Sequence, residues 1–572
     1  MTESVVSSIT GDVDRVLCAP RDLPPLRPDA GSCSDAYEAW SAAQPPAGPA
    51  DRGDESVDVV VLMGANQPGQ LADCLQSLTA QTHLPRTLSV ASAQALQPEA
   101  LAALASVPEA AQVRATTEPG PATALAAAVD AGTSALVCLV DHDAVLDPTC
   151  LALLIEALAD GVCAYADHDT NLGPGALPSF KPDWSPELAL SSDYLSWPLL
   201  LRRDTLEESG GIRPLIGGDW RHDIVLRIAD LGSVGHASRI LCHRRSATPT
   251  NAGPTAVNDA LARNHEQADV GPGPLPNTWQ VRRRLPTRPV VTVIVPFRDA
   301  APLLRTCVDT VSTTAPGWAL EWLLVDNGST EPETATLLER LDRRPEVTVL
   351  ADGRPFNWAA LNNMAAAQAT GELVLFLNND IEAVRPGWLD ALAVQALRPD
   401  VAAVGARLLY PGGRLQHAGV VLGMGGAAGH VLAGLAPGEP GYGGIAVLPR
   451  EVSAVTGACL LSRRCVVKEL SGFDEGLGMD LNDVDYCLRA WAAGYRVLYE
   501  PASELVHHES PSRGTSGSLA DIRRFVGRWE GAIRSGDPFF NPNLTRVDSS
   551  CALRSPGEEE WWQRWRSILD RP

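Results

Sequence analysis

The sequence predicts an α/β fold built twice in tandem, each copy an open, mostly parallel sheet with helices on its faces. Three observations predict it. Short β-branched runs alternate with Ala/Leu-rich helical patterns, the alternation restarts at Pro289, and polar residues at the ends of the runs recur in the same order in both cycles.

In the first cycle the patterns place a strand over 57–63, a helix over 70–80, and strands over 87–91 and 135–140. In the second they place a strand over 290–295, a helix over 303–313, and strands over 321–325 and 372–377. Four landmarks match between the cycles. Val59-Val60-Val61 answers to Val293-Ile294-Val295, and Leu139-Val140-Asp141-His142-Asp143 to Phe376-Leu377-Asn378-Asn379-Asp380. Arg221-His222-Asp223-Ile224-Val225-Leu226-Arg227 answers to Asp483-Val484-Asp485-Tyr486-Cys487-Leu488-Arg489, and Leu241-Cys242-His243 to Leu505-Val506-His507.

The expected organisation follows. Residues 1–56, rich in Pro, Asp, Ser and Gly, form a loosely ordered extension; 57–246 form the first domain and 288–545 the second. Between them 247–287 is a Pro/Gly/Asn-rich linker around one short helix over 256–269. The tail, 546–572, puts Trp561, Trp565 and Ile568 on one helical face beside arginines, a pattern for a membrane surface, a partner or the protein's own domain.

Composition narrows the function classes. The 572 residues are 45% hydrophobic and 20% charged, which excludes wholesale disorder, and 46 Lys and Arg against 69 Asp and Glu give a net charge of -23. Such a field repels nucleic acid, and no basic stripe offsets it, so no nucleic-acid partner is expected. Apolar runs such as 135–140 fall far short of the roughly 18 residues of a membrane span. The start carries Glu3, Asp12 and Asp14 and does not read as a secretion signal, and twelve cysteines without CxxC spacing fit a reducing cytoplasm.

In an open parallel sheet, ligands collect at the carboxyl ends of strands. The second copy has three polar clusters there: Pro296-Phe297-Arg298-Asp299, Asp326-Asn327-Gly328-Ser329 and Asn378-Asn379-Asp380. Asp-Asn-Gly-Ser alone is equally a tight turn. Asp380 leaves the apolar run 373–377, and a carboxylate there needs a donor or a cation, for which a hard divalent metal, Mg2+ or Mn2+, is the natural partner. His507, closing the run 503–506, is the candidate second ligand, with His508 as the spare. Asp483 and Asp485 open a helix, where the macrodipole favours carboxylates. Near a metal-diphosphate centre Asp483 is also the candidate general base, with Asp485 as its positioning neighbour in the catalytic pair.

These residues carry a resemblance. The segments Val325-Asp326-Asn327-Gly328-Ser329-Thr330, Pro355-Phe356-Asn357-Trp358, Leu377-Asn378-Asn379-Asp380, Gln416-His417-Ala418-Gly419-Val420 and Asn482-Asp483-Val484-Asp485 resemble the family 2 glycosyltransferases of GT-A fold. His507-His508-Glu509-Ser510 with Ser512-Arg513-Gly514, and the closing stretch Asp537-Pro538-Phe539-Phe540-Asn541-Pro542-Asn543-Leu544, resemble the same group. More narrowly, they are similar to tandem-domain enzymes of bacterial O-antigen and cell-surface polysaccharide assembly. In the first copy, Phe180-Lys181-Pro182-Asp183-Trp184-Ser185-Pro186 shares in it.

The resemblance implies two nucleotide-binding, Rossmann-like GT-A domains and an inverting transfer from a nucleotide-sugar donor to a polysaccharide or lipid-linked oligosaccharide acceptor. It implies donor binding by Pro296, Arg298, Asp326, Asn327, Asn357, Asn378, Asn379 and Arg513, metal binding by Asp380 and His507, and catalysis by Asp483 and Asp485. Gln416, His417 and Gly457 are second-rank candidates on the acceptor side, and the glycines over 423–429 are either adaptable backbone near the substrate or simple bends. It leans towards dTDP-rhamnose or a UDP-sugar as donor, and towards the cytoplasmic face of the inner membrane.

The first copy departs from this pattern. Leu88-Ser89-Val90-Ala91 holds no counterpart of Asp326, and Arg221 stands where Asp483 stands in the second copy. An arginine stays charged and cannot take a proton. Asp141, Asp143 and His243 remain, so a degenerate domain is expected. The alternatives are a bifunctional chain in which Asp219 or Asp223 serves as base, and a noncatalytic sugar-binding subunit.

Overall fold

The computed structural model describes residues 37–44, 55–64, 68–107, 112–170, 176–195, 197–215, 219–245, 253–285, 287–509, 518–555, 557–559, 563 and 566–567. Most of the expected extension, Ser510, Ser512, Arg513 and Gly514, and the face of Trp561, Trp565 and Ile568 lie outside the described residues. The chain divides at Arg283 into two compact units.

The first unit is built on a nine-stranded sheet of β1 (Val57–Met63), β2 (Thr87–Ser92), β3 (Gln112–Thr117), β4 (Leu136–Asp141), β5 (Ala144–Leu146), β6 (Cys163–Thr170), β7 (Leu177–Ser179), β8 (Leu199–Arg202) and β9 (Val234–Arg244). The strand order is 3-2-1-4-8-6-9-5, with β7 on β6. Strands β1 to β4 are parallel neighbours, β8 runs antiparallel between β4 and β6, and β9 is parallel to β6. Every residue of β1 is buried, as a strand covered by helices on both faces must be. Val57, Val59, Val61 and Met63 pack on Leu71, Leu75 and Leu78, one face of the helix Pro68–Thr79.

The stretch expected as a linker is folded. Its helix runs Thr255–Arg263 and stops short of the expected 269, because His265 takes a left-handed backbone conformation (φ 57°) and Ala268 opens a hairpin of β10 (Ala268–Pro272) and β11 (Trp279–Arg283). Ala256, Val257, Ala260 and Leu261 pack with Leu226, Trp279 and Val281. Arg283 closes the unit on the buried Glu187 at 2.8 Å.

The second unit has a ten-stranded sheet of β12 (Val291–Phe297), β13 (Leu320–Asp326), β14 (Val347–Ala351), β15 (Leu373–Leu377), β16 (Ile381–Ala383), β17 (Val401–Leu409), β18 (Leu415–His417), β21 (Arg450–Glu451), β22 (Cys459–Arg463) and β23 (Arg496–His507). A separate hairpin pairs β19 (Val420–Leu422) with β20 (Ala428–His430). The main order is 14-13-12-15-22-17-23-16, which repeats the first unit strand for strand in both order and direction. The α/β class and the tandem sheets are as the sequence predicts.

Here too the helix next to the first strand follows from spacing. Leu304, Cys307, Val308 and Val311 recur at i, i+3, i+4 and i+7 in Ala301–Thr314 and cover Val291, Val293, Val295 and Phe297. The parallel strands β12, β13 and β15 therefore end together, with Arg298, Asp326 and Asn378 just beyond or at their carboxyl ends.

A buried charge cluster in the first unit gives a measurable consequence. His236 stacks on Tyr165 at 4.5 Å and bridges two carboxylates, Nε2 to Asp167 at 3.0 Å and Nδ1 to Asp183 at 2.9 Å. Burial pushes its pKa down, but the two carboxylates outweigh burial and hold it above the ordinary value. Its stabilisation is complete below the unfolded value near pH 6.5 and is lost as pH rises through the raised folded value. The unfolding free energy of the first unit, from denaturant titrations, should fall as pH rises from about 6.5 through the raised folded value, and His236→Gln should lower it at pH 6 by roughly 1–3 kcal/mol while flattening that dependence.

Candidate functional site

The antiparallel pairing of β16 with β23 sets Ile381 opposite His507, and the backbone N–H of His508 donates to the Asp380 carbonyl at 2.9 Å. This register brings the two expected ligands together. Asp380 Oδ1 lies 3.1 Å from His507 Nε2, and both residues are buried. His508, the spare, turns to Glu382 at 2.8 Å and takes no part.

His507 Nδ1 lies 2.6 Å from Gln416 Oε1, a contact that is a hydrogen bond when Nδ1 carries the hydrogen. Asn378 Nδ2 approaches Nε2 of the same ring at 3.3 Å. An imidazole nitrogen and a carboxylate oxygen facing each other could supply two ligands to a divalent cation. Among the described residues no group of three or more His, Cys, Asp or Glu side chains forms a full protein cage.

Asp483 joins this centre through one short bonded path. Its Oδ2 accepts from Gly457 N at 2.7 Å, and the next residue's carbonyl, Ala458 O, accepts from Asn378 N at 3.0 Å. A Cβ on Gly457 would come within 2.7 Å of the Trp358 ring and 3.4 Å of Asp483 Cβ, so only glycine lets the three meet. Trp358 in turn donates its indole N–H to Asn378 Oδ1 at 3.4 Å and packs on Phe376 and Phe473. Asp483 is half-buried at the first turn of the helix Asn482–Ala492.

Asp485 does something else. It is fully buried, and its two oxygens accept from Arg489 Nε (2.8 Å), Arg528 Nη1 (2.7 Å) and Trp529 Nε1 (3.0 Å). It clamps its helix to Leu519–Ser535, a place that suits the expected positioning neighbour of Asp483, since a carboxylate with both oxygens bonded inward offers none to substrate.

The donor-binding candidates divide similarly. Asp326 ends β13, two strand spacings or about 10 Å from the end of β15, with Oδ1 accepting from Ser329 N at 2.8 Å. Arg298 is exposed at the end of β12 and Asn379 half-buried beside Asp380, whereas Pro296 is buried within its strand. Asn327 and Asn357 are spent on the fold. Asn327 Nδ2 donates to the carbonyls of Asp352 and Arg354, and Asn357 caps the helix Trp358–Ala366 through Ala360 N at 2.8 Å while Nδ2 holds Glu475 O.

His417 is fully buried, and its pKa is pushed well below the usual value by burial, with His430 and Arg450 adding to it. Sequence reasoning passed over His430, which lies 3.2 Å from His417 Nδ1 and 3.1 Å from the Gln416 carbonyl. Burial pushes its pKa down too, more than the nearby Asp483 carboxylate raises it. The one signal was its place at the end of the glycine-rich segment. Those glycines are bends: Gly423, Gly425 and Gly426 have φ of 83°, 63° and 103°. The closing motif anchors this hairpin, because Asp537 Oδ2 accepts from Leu422 N at 2.7 Å.

The first unit fills the equivalent ground with its own cations. Pairing of β5 with β9 sets Ala144 opposite Arg244, so Arg244, and not His243, occupies the register position of His507. The sequence match was off by one residue, and His243 turns instead to Asp169 at 2.9 Å. Arg244 lies 3.0 Å from Asp141 and 3.5 Å from Asp143, and Arg221 grips Asp141 at 2.6 and 2.8 Å while stacking on Trp197. Burial raises the pKa of Asp141, but the two arginines outweigh it and hold it below the carboxylate norm. Asp223 is clamped by Arg213 and Arg227 as Asp485 is by its arginines, and Asp219 accepts from Thr255 N. Neither is placed as a base.

A model of the family described as glycosyl transferase family 2 matches residues 292–470, which include Asp326 and Asp380. The N-acetylglucosaminyl-diphospho-decaprenol L-rhamnosyltransferase of Mycobacterium tuberculosis is 31% identical over 219 residues, 34% of this chain and 67% of that protein. The chain belongs to glycosyltransferase family 2. A longer relative, the O-antigen biosynthesis protein RfbC of Myxococcus xanthus, is 42% identical over 410 residues, 68% of this chain. This chain spans only 32% of RfbC. Among solved structures, the mannosyltransferase PcManGT of Pyrobaculum calidifontis in complex with GDP-Man and Mn2+ aligns with a TM-score of 0.32 at 17% identity, over 53% of this chain and 87% of that one.

The two aspartates on one helix should separate cleanly. Asp485→Ala removes the buried carboxylate that pairs Arg489 and leaves Arg528 with Asp474 alone, and should cost about 3–5 kcal/mol, read as a lower unfolding temperature, whereas Asp483→Asn should stay within about 1 kcal/mol of wild type.

Proposed function

We propose that the second unit is an inverting, metal-dependent glycosyltransferase that moves a sugar from a nucleotide-diphosphate donor to a hydroxyl of a surface polysaccharide or its lipid-linked precursor. The observation that carries this reading is the facing pair Asp380 Oδ1 and His507 Nε2, bonded through Asn378 and the 457–458 backbone to Asp483. The names of the relatives support it, one an O-antigen biosynthesis protein and one an L-rhamnosyltransferase. We take dTDP-rhamnose as the first donor to try and UDP-sugars next.

In this reading Asp380 and His507 hold Mg2+ or Mn2+, which when bound neutralises charge on the departing diphosphate. Asp326 orients the nucleotide from the end of β13. Asp483, fixed by the Gly457 N–H, takes the proton from the acceptor hydroxyl. Attack opposite the leaving group in one displacement inverts the anomeric centre without a protein nucleophile. Asp485 contributes only by locking the helix that carries Asp483.

The first unit serves as scaffold or acceptor surface, since Arg244 and Arg221 already neutralise Asp141 and Asp143. The reading places the chain at the cytoplasmic face of the membrane. Among the described residues no helix is long and apolar enough to cross a bilayer.

A panel of nucleotide sugars scored for thermal stabilisation with and without Mn2+ tests the centre. One donor should stabilise the wild type only with metal, and Asp380→Ala should abolish the response; an equal response in the variant sinks the assignment. With that donor, Asp483→Asn should lower kcat about 10²–10⁴-fold at similar KM. Asp143→Asn should leave transfer unchanged, and its loss there would move catalysis to the first unit.

A further inference from the structure

β18 does not pair evenly with β17. Leu408 faces His417 and Leu409 faces Leu415, so Gln416 is an extra residue, a bulge between two paired neighbours. Bulges re-aim a side chain at the expense of one ladder position. This one aims the buried Gln416 amide at His507, with Oε1 2.6 Å from Nδ1.

The glutamine is itself held on two sides. Its carbonyl meets His430 Nδ1 at 3.1 Å, and its side chain lies near the Tyr410 hydroxyl, whose pKa it draws down against the effect of burial. An imidazole has two neutral tautomers, and only the one with hydrogen on Nδ1 leaves a lone pair on Nε2 for a cation held beside Asp380. Carbonyl-type acceptors behind a ligating histidine fix ring and tautomer in this way. Asn378 completes the setting on the other side, because its amide hydrogen can approach Nε2 only when that nitrogen is bare.

We propose that Gln416 is a positioning residue: the bulge in β18 turns its amide oxygen onto His507 Nδ1 and thereby fixes the tautomer and ring plane that present Nε2 to the cation. Gln416 does not reach the sugar or the acceptor in this assignment, which replaces its expected place on the acceptor side. The cation belongs to the proposed function above, but the tautomer is a property of the metal-free protein and can be read alone.

The full-length chain with 15N-labelled histidine gives that reading. Long-range 1H–15N spectra without metal should show the His507 ring, assigned by its disappearance in His507→Gln, with a protonated Nδ1 and a bare Nε2. A ring protonated on Nε2 overturns the proposal whatever any variant does. In Gln416→Leu, checked for a native circular dichroism spectrum, the signal should shift to a tautomer mixture, and Mn2+ affinity by electron paramagnetic resonance titration should fall about 10–100-fold. Gln416→Glu, which keeps an acceptor oxygen at the same reach, should restore the Nδ1–H signature. If Gln416→Leu unfolds, the wild-type spectrum and Gln416→Glu still decide. A Gln416→Leu protein that keeps the wild-type tautomer and Mn2+ affinity refutes the proposal. Failure of the wild type to bind Mn2+ while showing Nδ1–H refutes the metal centre and leaves the positioning role of Gln416 standing.

Discussion

Asp380 Oδ1 and His507 Nε2 face each other at 3.1 Å in a buried setting, an arrangement that is favourable with positive charge between them, whether a proton or a cation. Several elements of the second unit hold that meeting. The β16–β23 register fixes the backbones, Asn378 and Gln416 hold the imidazole from its two nitrogens, and Trp358 braces Asn378 from the aromatic core.

The first unit shows the same problem solved inside the protein. Its sheet repeats the second strand for strand, and it keeps Asp141 and Asp143 near the equivalent turn. The charge that a cation would bring comes there from Arg244, at the register position of His507, and from Arg221, at that of Asp483. A guanidinium is permanently charged and tethered, so it neutralises the carboxylates without exchange and leaves no coordination position for a phosphate. The shared part of the two units is instead the Asp–Arg clamp on the site helix, Asp223 with Arg227 and Asp485 with Arg489, which serves stability in both.

Much of this was legible in the sequence because strands buried on both faces read as continuous apolar runs and their polar ends stand out. The first strand of each unit and the closeness of Asp380 to His507 were visible in that way. Roles that depend on which way a side chain turns were not. Asp483 and Asp485 lie two apart on one helix and look alike in sequence, yet about 200° of helical rotation sends one to Gly457 and the other into Arg528. Asn327 and Asn357 read as ligand groups because turns and caps use the same residues as binding sites. His243 matched His507 because the short segments align equally well with a shift of one, and only strand pairing distinguishes them.

The bulge at Gln416 belongs with these cases and explains why His430 was missed. Pairing in β18 and β20 is too short to leave a periodic signal, and the glycines that shape the hairpin read as a loop. Yet this hairpin is tied at one end to Asp537 through Leu422 and at the other to Gln416 through His430. Residues more than a hundred positions apart thus reach one imidazole through a path of hydrogen bonds, Asp537 to the hairpin, His430 to the Gln416 backbone, and the Gln416 amide to His507. The closing motif therefore meets the centre only through the hairpin, whose far end carries the His430 contact to the Gln416 carbonyl.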